Sequence, residues 1–210
     1  MKKFECGFFF ITDRNLSKKG DIDDVQAALK AGIKVVQYRE KEFETRAMVE
    51  TAKKLKSLCE KHNALFILND RIDVALAVDA DGVHVGQDDM PLDEVRRILG
   101  SEKIIGVTVH NVEEAIEAES GGADYLGVSP IFQTDTKKDA GPAVGVQLIK
   151  KIKEKTSIPL IGIGGITLEN LDEVIRAGAD GVCAISATVA SDNVESAVAE
   201  FRRKINDSTQ

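Results

Sequence analysis

The sequence lacks the features that mark secreted and membrane proteins. Its three cysteines, Cys6, Cys59 and Cys183, are scattered and form no C-x-x-C pair. This argues against a disulfide framework and favours reduced thiols. The first residues show no apolar region of the kind that precedes a signal-peptide cleavage site. No stretch approaches the ~20 apolar residues of a membrane span. We therefore expect a cytoplasmic protein.

The sequence also lacks an excess of positive charge. It has 28 Lys and Arg residues against 35 Asp and Glu residues, for a net charge of -7. A protein that binds nucleic acid or a membrane surface needs a basic face, so neither is an expected partner. A local cationic pocket for a small anionic substrate remains compatible with this charge. We expect small molecules as partners and leave homo-oligomer formation open.

What the sequence does contain is a repeated pattern of apolar runs that end in polar clusters. The predicted strands are 8–12, 34–37, 64–68, 81–85, 104–107, 125–128, 159–163 and 182–185. The predicted helices are 21–31, 43–62, 72–78, 91–99, 112–120, 146–155, 168–177 and 194–205. Strictly alternating strands and helices indicate a parallel sheet with right-handed crossovers. Continuously apolar strands fit burial on both faces of that sheet.

The 210 residues suit one (β/α)₈ TIM barrel that spans 1–210, with 206–210 as a frayed tail. Such barrels need at least ~200 residues. An open doubly wound sheet is the alternative, but it usually has fewer strands. The carboxyl ends of all barrel strands meet at one face, so the polar clusters should form one site.

A cationic segment, Gln37-Tyr38-Arg39-Glu40-Lys41, follows the second predicted strand. Side chains alternate across a strand, so Gln37, Arg39 and Lys41 share one face. If this face points into the barrel mouth, it presents two cations and an amide to a ligand. Arginine suits phosphate because its planar guanidinium binds two oxygens at once. The alternative is a polar strand end that pairs with surface carboxylates.

Two acidic residues follow neighbouring predicted strands. Asp70 and Asp89 come after the third and fourth strands, and Asn69 precedes Asp70. Each Asp by itself is readily explained as a helix N-cap. Their occurrence on adjacent strands, near an Arg/Lys face, favours a site for Mg²⁺, which shares carboxylate ligands with substrate phosphates.

Two further segments have the composition of phosphate-binding loops. The longest connection, 130–144, contains Thr134, Thr136 and Lys137. A loop of this length in a tight barrel is usually functional, although a solvated surface loop is the alternative. Gly164-Gly165 and Ser186 follow the seventh and eighth strands, whose loops often bind phosphate in barrels.

Histidines offer a weaker signal. His84 and His110 lie at or just past strand ends, where a general base is possible. A hydrogen-bonded structural role is the favoured interpretation of both.

Taken together, these segments resemble the thiamine-phosphate synthase family from about Phe8 to about Ala187. The order and spacing of several short motifs carry the resemblance. They are Ile11-Thr12-Asp13-Arg14, Gln37-x-Arg39-x-Lys41, Asn69-Asp70-Arg71, Gly82-Val83-His84-Val85-Gly86-Gln87-x-Asp89, Gly127-Val128-Ser129-Pro130-Ile131-Phe132, Thr134-x-Thr136-Lys137 and Gly164-Gly165-Ile166.

The resemblance implies roles for particular residues. Those implied to bind a pyrimidine diphosphate are Gln37, Tyr38, Arg39, Glu40, Lys41, Asn69, Thr108 and Lys137. Those implied to bind a thiazole phosphate are Thr134, Asp135, Thr136, Gly165, Ile185 and Ser186. Asp70 and Asp89 are implied to ligate Mg²⁺, and Arg39, Lys41 and Lys137 to act in catalysis.

The implied reaction joins 4-amino-2-methyl-5-hydroxymethylpyrimidine diphosphate to the thiazole phosphate, giving thiamine phosphate and pyrophosphate in thiamine biosynthesis. It is dissociative: pyrophosphate departs before the thiazole nitrogen attacks, and no protein nucleophile is required. Cations and Mg²⁺ would stabilise the leaving group.

The sequence must also be compared with three alternative functions. A thiazole tautomerase or regulatory paralogue would lose the paired acidic motifs, which this sequence keeps. A phosphate-sugar isomerase or Schiff-base aldolase is another possibility, but an aldolase needs a lysine on a core strand and 125–128 contains none. A non-catalytic binding module is the last alternative.

Overall fold

The computed structural model describes residues 6–136 and 141–208. The strands are β1 (Phe9–Ile11), β2 (Val35–Tyr38), β3 (Leu65–Asn69), β4 (Gly82–Val85), β5 (Ile104–Val109), β6 (Tyr125–Val128), β7 (Leu160–Ile163) and β8 (Gly181–Cys183). The helices are α1 (Asp21–Lys30), α2 (Thr45–Lys61), α3 (Ile72–Ala77), α4 (Leu92–Leu99), α5 (Val112–Ser120), α6 (Val146–Lys153), α7 (Leu171–Arg176), α8 (Ile185–Val189) and α9 (Val194–Ser208).

The strands form one parallel sheet in sequence order from β1 to β8. A parallel bridge between Phe8 and Val182 brings the first strand against the last. This closure confirms the predicted single-domain (β/α)₈ barrel. Because every strand runs in the same direction, all strand-to-helix loops lie at one end of the barrel.

Two apolar layers hold the barrel together, and they explain why the strands are apolar throughout. Inside the barrel, alternate strand residues such as Phe9, Ile11 and Ile67 pack together. The intervening residues, such as Phe10 and Phe66, pack outward against the helices. Each strand therefore buries both faces. The alternation also decides which polar residues at the strand ends face inward.

The structure differs from the sequence-based segments at two places near the carboxyl end. β8 ends at Cys183, and the short helix α8 begins at Ile185, so the strand predicted at 182–185 is too long. An apolar, β-branched run cannot by itself separate a strand from the first turn of a helix. α9 continues to Ser208, three residues beyond the helix end predicted at residue 205. The Ser208 hydroxyl donates to the Asp172 carboxylate at 2.9 Å.

Two further observations concern the expectations about disulfides and membrane spans. Cys6, Cys59 and Cys183 are free cysteines. Among the described residues, no helix combines the length and apolar character that crossing a bilayer requires.

Candidate active site

A pocket opens at the carboxyl ends of the strands and collects most of the predicted site residues. From the pyrimidine diphosphate and metal sets, its lining includes Gln37, Arg39, Lys41, Asn69, Asp70, Asp89 and Thr108. From the thiazole phosphate set, it includes Thr134, Thr136, Gly165, Ile185 and Ser186. Residues separated by about 150 positions in the sequence therefore share one cavity, as barrel closure requires.

The two acidic residues Asp70 and Asp89 face each other in this pocket. Asp70 follows β3 with a positive φ of 60°, and its amide donates to the His84 carbonyl at 2.8 Å. Asp89 is held by the Gly86 amide, which donates to its Oδ2 at 2.7 Å. Burial is the main cause that raises the pKa of Asp70. A hydrogen bond and charge repulsion from Asp89 raise it further, whereas Lys41 lowers it.

The two cations of the pocket are already ion-paired. Arg39 Nη1 lies 3.0 Å from Asp13 Oδ2, and the Arg39 amide donates to Thr12 Oγ1 at 3.0 Å. Lys41 Nζ forms an ion pair with Asp70. The polar end of β1 therefore orients the guanidinium. Sequence reasoning placed Thr12 and Asp13 in a motif but assigned them no role, because nothing local links β1 to β2.

Tyr38 and Glu40 are not among the residues that line the pocket, and their binding of the diphosphate stays a prediction from the resemblance. Tyr38 is buried in the layer between strands and helices. Glu40 is also buried, and its Oε1 accepts from the amides of Glu42 at 2.7 Å and Phe43 at 3.3 Å. Both residues alternate with the inward-facing Gln37 and therefore point the other way.

Some residues of the long loop line the pocket and others do not. Thr134 and Thr136 line the pocket, and the Thr136 amide donates to Thr134 Oγ1 at 3.3 Å. Asp135 between them is exposed and is not part of the lining, and its binding of the thiazole phosphate stays a prediction from the resemblance. Lys137 lies outside the described residues.

The opposite wall of the pocket is a tight backbone turn after β7. Gly164 and Gly165 have φ of 98° and 64°, a region that glycine adopts without strain. A Cβ on Gly165 would lie 2.6 Å from the Gln133 carbonyl oxygen. This turn therefore packs directly on the long loop. Ile185 and Ser186, at the start of α8, complete the wall.

His84 and His110 both line the pocket and are hydrogen-bonded, which confirms the favoured interpretation of both. His110 Nδ1 lies 3.1 Å from Glu114 Oε2. His84 is buried, with Nδ1 at 2.9 Å from the Tyr125 hydroxyl and Nε2 at 2.8 Å from Thr108 Oγ1. Sequence reasoning did not connect Tyr125 with the site, because it starts β6 as an ordinary core aromatic.

Other lining residues went unassigned at the level of sequence. Gln87 and Ser129 belong to the pocket, and Gln87 Nε2 donates to the Thr108 carbonyl at 2.7 Å. The sequence could have indicated both residues, since each lies within a motif quoted above. An apolar inner wall that includes Ile11, Ile163 and Cys183 closes the pocket from below.

Fold and site together define a class: a parallel (β/α)₈ barrel enzyme whose carboxyl-end pocket combines paired carboxylates, cations and a glycine turn suited to phosphate. Comparison with known proteins narrows this class. The family model described as thiamine monophosphate synthase matches residues 8–188. The chain therefore belongs to the thiamine monophosphate synthase family, whose members are transferases.

Individual relatives agree with this assignment over nearly the whole chain. A thiamine-phosphate synthase of Methanosarcina mazei is 53% identical over 197 residues, covering 94% of this chain and 82% of the relative. One of Methanosarcina barkeri is 52% identical over 191 residues, covering 91% and 86%. The solved thiamine phosphate pyrophosphorylase from Pyrococcus furiosus is 41% identical with a TM-score of 0.90, covering 97% of each chain.

Proposed function

We propose that this chain is a thiamine-phosphate synthase that joins 4-amino-2-methyl-5-hydroxymethylpyrimidine diphosphate to a thiazole phosphate and releases pyrophosphate. The single observation that carries the proposal is the convergence of Asp70, Asp89, Lys41 and Arg39 on one side of a pocket whose other side is the Gly165 turn. Two anionic groups must be held in this reaction, and the pocket offers one wall suited to each.

The acidic pair fits Mg²⁺. Two carboxylates in hydrogen-bonding contact repel each other unless a proton or a cation lies between them. Burial raises the pKa of Asp70 most, and Asp89 raises it further. Among the described residues no group of three or more His, Cys, Asp and Glu side chains could hold a metal. Asp70 and Asp89 would therefore hold the ion together with substrate oxygens and water, as is usual for Mg²⁺. When bound, Mg²⁺ would neutralise charge on the departing pyrophosphate.

Lys41 and Arg39 are placed to receive the diphosphate. Asp70 forms an ion pair with Lys41, and Asp13 forms one with Arg39. Arrival of the diphosphate would allow the Lys41 ammonium to exchange Asp70 for a phosphate oxygen. Arg39 would present the face of its guanidinium that Asp13 leaves open. Lys137 is proposed to contact the same group. These cations would stabilise the negative charge that grows as the C–O bond breaks.

The pocket needs no protein nucleophile for this chemistry. Cys183 lines it, but burial raises the pKa of its thiol, so the thiol stays protonated and unreactive. Loss of pyrophosphate would leave a pyrimidine-methyl cation that the thiazole nitrogen captures. The Gly165 turn, Thr134, Thr136 and Ser186 are proposed to fix the thiazole phosphate, so that proximity supplies much of the rate.

The test is pyrophosphate release by the purified chain in mixtures that each omit one component. Release should require the pyrimidine diphosphate, the thiazole phosphate and Mg²⁺ together, and thiamine phosphate should form in equal amount. Release without the thiazole phosphate would indicate a diphosphatase instead. Absence of thiamine phosphate from the complete mixture would refute the proposal.

A further inference from the structure

A row of three hydrogen-bonded side chains runs from the barrel interior into the pocket. The Tyr125 hydroxyl lies 2.9 Å from His84 Nδ1, and Thr108 Oγ1 lies 2.8 Å from His84 Nε2. His84 and Thr108 both line the pocket. The row therefore connects a predicted pyrimidine diphosphate contact, Thr108, to two residues without an assigned role.

The barrel is shaped to accommodate this row. Gly106 on β5 lies in register between His84 on β4 and Tyr125 on β6. A Cβ at Gly106 would overlap the Tyr125 ring, and a Cβ at Gly127 would lie 3.0 Å from His84 Cε1. Both glycines therefore leave the space that the two rings occupy.

The row places polar groups in the buried core of the barrel. Tyr125 is 1% exposed and His84 is 4% exposed. A methyl-lined core would fill the same space without polar groups, and buried polar groups are costly unless they are hydrogen-bonded. Burial raises the pKa of the Tyr125 hydroxyl, which therefore keeps its proton and can donate to His84.

We propose that His84 and Tyr125 are positioning residues that hold the Thr108 hydroxyl as a donor toward the pyrimidine diphosphate. This inference rests on the proposed function. It extends that function to two buried residues, His84 in the pocket wall and Tyr125 behind it.

The sense of each hydrogen bond follows from the ligand. Phosphate oxygens only accept, so Thr108 must donate its proton to the diphosphate. Thr108 Oγ1 then accepts from His84, which puts the imidazole proton on Nε2 and leaves Nδ1 as an acceptor. Tyr125 donates to Nδ1. A single imidazole tautomer thus fixes the polarity of all three groups.

The first test measures the tautomer and does not depend on activity. The chain has three histidines, so ¹⁵N-histidine NMR gives few signals, and His84→Gln assigns those of His84 by their loss. We expect a protonated Nε2 and an unprotonated Nδ1 in the ligand-free protein. Tyr125→Phe should shift the Nδ1 signal, because it removes the donor. A protonated Nδ1 in the wild-type chain would overturn the proposal even if a variant failed to fold.

The second test separates the two substrates kinetically. Tyr125→Phe should lower kcat/KM for the pyrimidine diphosphate by about tenfold, the size expected for one hydrogen bond to a charged group. KM for the thiazole phosphate should stay unchanged. Thr108→Val should have a similar effect, and the double variant should be no worse than Thr108→Val alone, because both act through one hydroxyl.

Variants at His84 test whether the donor or the ring is needed. The amide N–H of His84→Gln can replace the Nε2 donor to Thr108, so this variant should keep more activity than His84→Leu, which fills the space without a donor. Equal losses in the two variants would assign His84 a packing role and overturn the proposal.

Thr156→Val is the matched control for Thr108→Val. Thr156 is 8% exposed, its hydroxyl donates to the Ile152 carbonyl at 3.0 Å, and it does not line the pocket. Removal of this hydroxyl should leave both KM values unchanged. The proposal is overturned if Thr108→Val and Tyr125→Phe behave like Thr156→Val, or if Tyr125→Phe changes both KM values equally. A wild-type chain that makes no thiamine phosphate would instead refute the proposed function and the substrate assignment with it, while the tautomer measurement still decides the row.

Discussion

Asp21→Asn should stabilise the folded chain at neutral pH and not in acid. Asp21 opens α1, is 4% exposed, and neither of its carboxylate oxygens has a hydrogen-bond partner among the described residues. Burial raises its pKa from 3.8 to about 6, and repulsion from Glu40 adds to this effect. The folded state therefore disfavours the charged form of Asp21, which the unfolded chain carries freely in water.

The expected gain in stability follows from the pKa values of Asp21 in the unfolded and folded states. The rise in the pKa of Asp21 corresponds to a loss of at most about 3 kcal/mol in the free energy of unfolding when the carboxylate is charged. Solvent screening reduces this ceiling, and loss of a negative charge at the helix N-terminus removes a further ~0.3–1 kcal/mol of favourable interaction. We expect a net gain of about 1 kcal/mol, which in a chain of this length raises Tm by about 2–4 °C.

The sign of the pH dependence is determined by the raised pKa. Below the unfolded value of 3.8 both states are protonated and the penalty is absent. As pH rises through the window from 3.8 to about 6, the unfolded state loses its proton first and the wild-type chain loses stability. Asparagine carries no charge at any pH. The Tm difference between variant and wild type should open across this window and stay constant above it.

The assay is thermal unfolding followed by circular dichroism at pH 4 and pH 7.5. Asp23→Asn is the control, since Asp23 is an exposed residue in the same helical turn. It should show no gain at either pH. A Tm for Asp21→Asn that is equal to or below wild type at pH 7.5, or a gain that is the same at both pH values, would refute the reasoning.

Three further predictions concern the pocket. Asp89→Asn should lower Mg²⁺-dependent kcat by about a hundredfold with Tm nearly unchanged. The control Asp93→Asn, at an exposed residue of α4, should leave both kcat and Tm unchanged. Normal turnover by Asp89→Asn would show that Asp89 is not part of the metal site. Ser186→Asp should raise KM for the thiazole phosphate at least tenfold, since charge repulsion near a surface is worth about 4 kcal/mol at 4 Å; an unchanged KM would place the phosphate elsewhere. Gly165→Ala should weaken binding of the same substrate because its Cβ meets the long loop, while Gly100→Ala, which has a similar φ of 73° and open space around it, should cost stability without changing KM.

Much of the fold could be predicted because the relevant information is local. A buried parallel strand must be apolar on both faces, so each strand appears in the sequence as a short apolar run. The helices appear through their spacing and their caps. The convergence of Asp70, Asp89 and Arg39 on one pocket then follows from barrel closure alone. The α8 helix was missed because its first turn continues an apolar run.

The sequence by itself determined the order of strands and helices, and which strand ends carry acidic, cationic and glycine residues. Tertiary structure decided which side chains of 37–41 face the pocket, and so separated Gln37 from Tyr38. It also paired Asp13 with Arg39 and brought Tyr125 across the interior to His84. Alternation along a strand fixes only which residues share a face. The direction of that face, and its partners across the barrel, are set when the sheet closes and distant strands come within hydrogen-bonding distance.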